Sequence, residues 1–77
     1  MIPMAEAVSQ YAIYDHPSDF PDHFVVREWR VADGRVEPAE DCWLTKTLEE
    51  ARAIIPAGFY NVGRWTGDDP VIVEVWI

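Results

Sequence analysis

Thr47-Leu48-Glu49-Glu50-Ala51-Arg52-Ala53-Ile54-Ile55-Pro56 is the stretch of this 77-residue chain whose apolar spacing predicts a helix. Thr47 stands three residues ahead of Glu50, the reciprocal capping-box arrangement, and Leu48, Ala51 and Ile55 fall on one stripe. Pro56 cannot continue the helix, and Gly58 follows it. A helix of about two turns does not persist alone in water, so its apolar stripe must be packed on something.

The flanking sequence supplies strands for it to pack on. On the C-terminal side, residues 59–65 read as a strand and Thr66-Gly67-Asp68-Asp69-Pro70 as a turn. Residues 71–77 form the clearest strand, with Val71, Val73, Val75 and Ile77 on one face and Ile72, Glu74 and Trp76 on the other. The valine face is expected to lie against the helix. On the N-terminal side, residues 42–45 are a strand candidate, and residues 35–37 pair briefly before Pro38, Glu40 and Asp41 interrupt them. Asp33-Gly34 is a hairpin signal after a strand over residues 24–31. Residues 15–22 hold two prolines and three aspartates around Phe20, which is loop chemistry, and residues 10–14 form a first short strand. The expected fold is a single α+β domain over residues 1–77, with residues 1–9 a short N-terminal segment or disordered. It has a three- or four-stranded, mainly antiparallel sheet with one short helix packed on one face. One helix covers one face, so the other is expected to be solvated or covered by a partner.

Composition narrows the function classes. Hydrophobic residues make up 49% of the chain and four tryptophans are present, which excludes intrinsic disorder as the default. Fourteen acidic against six basic residues give a formal net charge of -8. A direct nucleic-acid binder needs the opposite sign, because Lys and Arg drive counterion release, and anionic membranes are disfavoured by the same repulsion. Cys42 is the one cysteine, so no disulfide forms within the chain. With no signal-peptide pattern at the start and no apolar stretch of membrane-spanning length, a cytoplasmic protein is expected.

Catalytic chemistry finds little to work with. His16, Ser18 and Asp19 are triad residue types, yet residues this close in a proline-bounded loop rarely converge on one substrate, and their ordinary role is turn hydrogen bonding. No phosphate loop or paired-carboxylate motif is present. His16, Asp19, Asp22 and His23 include zinc-ligand types, but their spacing matches no metal motif and aspartate-rich loops are commonly just solvated. Cys42 has acidic neighbours, which disfavour a reactive thiolate. The expectation is a non-enzyme with no metal and no cofactor. Trp29, Trp43, Trp65 and Trp76 exceed what so small a core needs, and tryptophan, tyrosine and arginine dominate interface hot spots. Trp29 and Trp76 are the expected exposed members. Asp15, Asp19, Asp22, Glu40, Asp41, Asp68 and Asp69 either keep the domain solvated or form an extended negative surface.

Tyr14-Asp15-His16-Pro17, Phe24-Val25-Val26-Arg27, Leu48-Glu49-Glu50-Ala51-Arg52 and Asp68-Asp69-Pro70-Val71-Ile72-Val73-Glu74-Val75-Trp76-Ile77 resemble segments of small bacterial and prophage proteins. The resemblance spans about residues 11–77 and carries no activity. In size, charge and lack of catalytic apparatus the chain is also similar in type to phage anti-CRISPR inhibitors, without a shared motif. That likeness implies an acidic inhibitor occupying a basic nucleic-acid-binding groove, such as that of a CRISPR effector. The alternative is a structural or regulatory module that self-associates through an exposed tryptophan-bearing sheet face, so a monomer and a small homo-oligomer both stay open.

Overall fold

The computed structural model of the chain describes residues 8–64 and 70–77. The elements run β1 (Val8–Asp15), β2 (Phe24–Ala32), β3 (Arg35–Thr45), α1 (Leu48–Ile54), β4 (Asn61–Gly63) and β5 (Ile72–Trp76). The five strands form one open sheet in the order β3-β2-β1-β5-β4, and every pairing is antiparallel. The α+β class therefore holds, while the strand count is five rather than three or four.

Two strands differ in extent from their sequence reading. β3 does not end at Pro38: Ala39, Glu40 and Asp41 bulge out opposite Glu28, and pairing resumes at Cys42 opposite Arg27. Proline can sit in an edge strand where no partner asks for its N–H, and β3 is such an edge. β4, inside the strand read at residues 59–65, is only three residues long, and Tyr60 and Ile77 extend its pairing with reciprocal backbone bonds of 2.8 and 3.0 Å. Asp33 (φ 52°) and Gly34 (φ 74°) take the left-handed conformations that a two-residue hairpin turn needs.

The helix starts as its sequence requires. Thr47 is extended and its hydroxyl accepts from the Glu50 N–H at 3.1 Å, while the Ile55 N–H closes the far end on the Arg52 carbonyl at 3.2 Å. Ala51, fully buried, lets α1 sit close on Tyr11, Ile13 and Val26, and Phe24, Trp43, Leu48, Phe59, Val73 and Trp76 pack around them. Phe59 meets the Tyr11 ring edge-on, with centroids 5.0 Å apart. Burial, followed by nearby Glu28, raises the pKa of the Tyr11 hydroxyl.

The expectation that the valines of the last strand face the helix is overturned. Register partners share a face, and Tyr11 pairs with Trp76 and Ile13 with Glu74, so Glu74 and Trp76 lie on the helix side. Val75 pairs with Ala12 on the opposite side, and a bulge at Val73 lets that one valine join the core. Glu74 tolerates burial because four donors meet it. Arg52 donates from Nε at 2.8 Å and Nη2 at 2.9 Å, and Asn61 Nδ2 and Trp76 Nε1 each donate at 3.0 Å. One carboxylate thus ties α1, β4 and β5 together.

Candidate functional site

Alternation along the strands puts Gln10, Ala12 and Tyr14 of β1 on the face that α1 leaves uncovered, beside Val25, Arg27 and Trp29 of β2. Pro38 follows from its pairing with Trp29, and Ile72 and Val75 from theirs with Tyr14 and Ala12. Val25 is nonetheless fully buried, and Pro17 in the β1–β2 loop is buried too, so the loop folds down over that end of the face. Its ends are fixed by bonds from His16 N–H to the His23 carbonyl (3.0 Å) and from Asp15 N–H to the Val71 carbonyl (2.7 Å). His16, in a left-handed conformation, stacks edge-on against Phe24 and contacts the Asp15 carboxylate.

Between loop and sheet lies an open cavity of about 620 Å³ lined by Tyr14, Pro17, Ser18, Asp19, Arg27, Trp29, Pro38 and Val71. Tyr14 and Trp29 also wall a neighbouring hollow of about 260 Å³ floored by Ala12 and Val75. Pro38 also borders a separate hollow of about 330 Å³ at the β3 bulge, lined with Arg30, Glu37, Ala39, Glu40 and Asp41, of which Arg30 and its register partner Glu37 lie on the helix side of the sheet. The first two hollows make a groove on the helix-free face with aromatic and proline walls and Asp19 at its loop end. Its one cation, Arg27, is held by Asp19 at 3.2 Å. On the helix side of the sheet, Arg30 Nε lies 3.7 Å from Glu28, whose carboxylate also accepts from Ser9 Oγ at 2.7 Å. Among the described residues Asp22, Glu40 and Asp41 have no ion-pair partner.

The residues singled out from sequence separate accordingly. Asp19 and Trp29 meet at the main cavity, Glu40 and Asp41 line the separate hollow at the β3 bulge, and Asp15 at the end of β1 and Asp22 in the loop are exposed. Trp76 is on the opposite side of the sheet, packed on the core with its indole N–H given to Glu74, and does not share a surface with Trp29. Asp68, Asp69 and Trp65 lie outside the described residues, as does the turn read at residues 66–70 except for Pro70. Tyr14 and Pro38 had no individual signal as site residues, because only the strand register brings them to Trp29. Glu74 had one, since an acid between Val73 and Val75 in an apolar strand demands donors. Its carboxyl pKa is lowered, mainly by the Arg52 hydrogen bonds, which outweigh the opposing effect of burial.

Among the described residues no group of three or more His, Cys, Asp or Glu side chains is gathered to hold a metal ion. No described helix is long and apolar enough to cross a membrane. No protein-family model matches the chain, and comparisons with curated proteins and with solved structures find no match.

Proposed function

We propose that this chain is a non-catalytic binding protein that engages a basic protein partner through the groove on the helix-free face. The observation that carries the reading is the cavity on that face in which the aromatic rings of Tyr14 and Trp29 stand beside the carboxylate of Asp19. Aromatic side chains supply desolvated anchor area, and the surrounding carboxylates supply complementarity and on-rate. With a net charge of -8, the favoured partner surface is one rich in Lys and Arg. Basic surfaces of that kind hold nucleic acid, so the protein acts as an inhibitor that occupies the nucleic-acid groove of a complex such as a CRISPR effector.

The experiment begins with capture of partners on the immobilised chain and mass spectrometry. Binding of the captured partner is then followed over a salt series for wild type, for Glu40→Gln with Asp41→Asn, and for Asp68→Asn with Asp69→Asn. At least one pair is expected to weaken binding and flatten its salt dependence with stability unchanged. If both double variants bind as wild type does, the carboxylates are not the recognition element.

A second reading has its own observation. Val36 (61% exposed) and Leu44 (44% exposed) stand on β3, an edge strand of the sheet, where apolar self-pairing of two copies is possible. Salt separates the readings, since screening strengthens association between two acidic copies and weakens association with a basic partner. Light scattering at low and high salt reads the difference.

A further inference from the structure

The sheet sorts charge and exposed apolar surface onto opposite faces. All four ladder-paired acids, Asp15, Glu28, Glu37 and Glu74, lie on the helix side, in line with the core residues Tyr11, Ile13, Phe24 and Val26. On the helix-free face the ladders place one amide, Gln10, and one charge, Arg27, which Asp19 already matches. Among the described residues six large apolar side chains are exposed, and five of them stand on that face. Val8 and Val36 share it through register with Val31, and Leu44 through register with Val25. Tyr60 and Ile77 follow by alternation from Asn61 and Trp76 and by their own reciprocal bonds. The sixth, Val62, sits at the irregularity in β4.

Between Cα atoms the part of this face clear of the β1–β2 loop measures about 19 Å across the five strands and about 13 Å along β2 from Val31 to Arg27. With side-chain overhang at the rim that is roughly 500 Å², as large as the largest apolar patch of a typical monomer. Two such patches closed on each other bury roughly 1,000 Å² in total, the least that a specific interface needs. Whatever covers the patch must itself be flat, apolar and free of charge, because a polar surface laid there would strand its own hydrogen-bonding groups. Other monomers rarely carry such a face, but a second copy of this chain does, with the same outline. Two chains of net charge -8 can approach on this side, since the ladder acids of both point away from the contact. The chain also gains from closure: six apolar side chains are buried among the described residues, and its one cysteine, Cys42, forms no disulfide within it.

We infer that the helix-free face is the interface of a two-fold dimer of this chain, two sheets packed face to face with α1 outermost on each. This rests on the self-association reading above and moves the contact from the edge of β3 to the whole face. A two-fold axis crossing the strands at the row of Tyr60, Ile77, Gln10, Trp29 and Pro38 sets each β1–β2 loop beyond the turn end of the other sheet, and residues of that row face their own copies. An area at the lower limit makes the dimer reversible. Because the face includes the groove of Tyr14 and Trp29, a second copy and a basic partner exclude each other.

The test measures the dimer dissociation constant of the full chain by sedimentation equilibrium, at low and high salt, for wild type, Val36→Glu, Tyr60→Glu and Ala53→Glu. Each variant adds one charge at an exposed site, the first two at opposite edges of the face and the third on α1. Wild type is expected to dimerise and to tighten as salt screens the two acidic copies. Val36→Glu and Tyr60→Glu are each expected to weaken the dimer at least tenfold, and Ala53→Glu less than twofold, with the circular dichroism of every monomer that of wild type. If Val36→Glu alone weakens it, the copies pair along β3: the face assignment is wrong and the edge reading stands. If Ala53→Glu weakens it as much as the other two, net charge alone is being read and the assignment is equally wrong. If wild type stays monomeric at every concentration and salt, both forms of self-association fall while the basic-partner reading is untouched. If a captured basic partner binds the dimer without dissociating it, and Val36→Glu and Tyr60→Glu still weaken that dimer, the dimer stands and the groove reading falls.

Discussion

Glu74→Gln tests which of two opposed effects governs a carboxylate that is only 4% exposed. Burial alone raises a carboxyl pKa, whereas donated hydrogen bonds lower it. In this fold the lowering wins: Arg52 acts most strongly, against the desolvation, with Trp76 and Asn61 adding to it. Glutamine keeps the shape, but its amide NH2 must face two donors, either Arg52 Nη2 with Asn61 Nδ2 or Arg52 Nε with Trp76 Nε1. Two of four bonds are lost and the surviving pair goes to a neutral acceptor. Hydrogen bonds to a charged group contribute ~1.5–3 kcal/mol each against ~1 for neutral ones. The Arg52 side chain is 46% exposed and rehydrates, which reduces the cost. The net expectation is a loss of ~2–3 kcal/mol from the ~3–5 kcal/mol that a core this small supplies. Urea unfolding followed by tryptophan emission, with a slope of ~1 kcal/mol per molar, moves its midpoint down by ~2–3 M. The pH dependence is the sharper readout. The folded carboxyl has a pKa below its unfolded value, so its stabilisation is complete above the unfolded pKa, about 4.3, and is lost as pH falls through the folded value. Glutamine does not titrate. The gap between wild type and Glu74→Gln is therefore expected to stay flat from about pH 7 to about pH 5 and to close only below about pH 4. A gap that widens as pH falls from about 7 to about 5 would refute the reasoning, because a folded state that gains stability on taking up the proton has a raised carboxyl pKa, which would mean that burial outweighs the arginine.

Thr47→Ala removes the acceptor for the Glu50 N–H and is expected to lower stability by ~0.5–2 kcal/mol in the same urea assay. Ile13→Ala empties a fully buried site at a cost of ~2–5 kcal/mol, comparable with the whole stability, so calorimetry is expected to show no cooperative transition, while Ile13→Val, at ~0.5–1.5 kcal/mol, keeps one. Gly34→Ala meets no atom within 4 Å, so its cost is conformational, ~1–2 kcal/mol for a side chain held at φ 74°, and a hairpin that relaxes elsewhere would show as an unchanged midpoint. Asp19→Asn breaks an exposed pair and is expected to change stability by less than ~1 kcal/mol, with any larger shift by thermal unfolding meaning that the loop depends on it.

The helix was legible in the sequence because capping is local: Thr47, Glu50 and Pro56 act within a few residues of one another. The loop over residues 15–22 and the turn at Asp33-Gly34 were legible for the same reason. What was not legible depends on partners far along the chain. Pro38 reads as a strand end, and only the ladder to β2 shows that β3 resumes after a bulge. Alternation in β5 divides its residues into two faces correctly, apart from the bulge, but says nothing about which face is inside. The apolar choice was the valines; the fold instead buries Glu74, whose donors come from α1 and β4 as well as from β5 itself. Trp29 stood out as a surplus aromatic, and the sheet does place it on the uncovered face. Trp76 carried the same signal and went to the core, because its register partner is Tyr11.

The strand order also dictates the order in which the fold can be assembled. β1, β2 and β3 are joined by consecutive hairpins and need only neighbouring sequence to form. β5 pairs with β1 from the opposite end of the described chain, a closure whose entropic cost falls before its contacts reward it. Until it arrives, the inner edge of β1 stays open and Arg52 lacks the carboxylate it will grip. A chain leaving the ribosome would thus hold a three-stranded meander with a bare strand edge, the kind of template that other chains pair with. Docking of the last strand both shields that edge and locks the helix. The interval before it is where misassembly of this protein is expected to begin, and variants that weaken β5 should aggregate before they lose the hairpins.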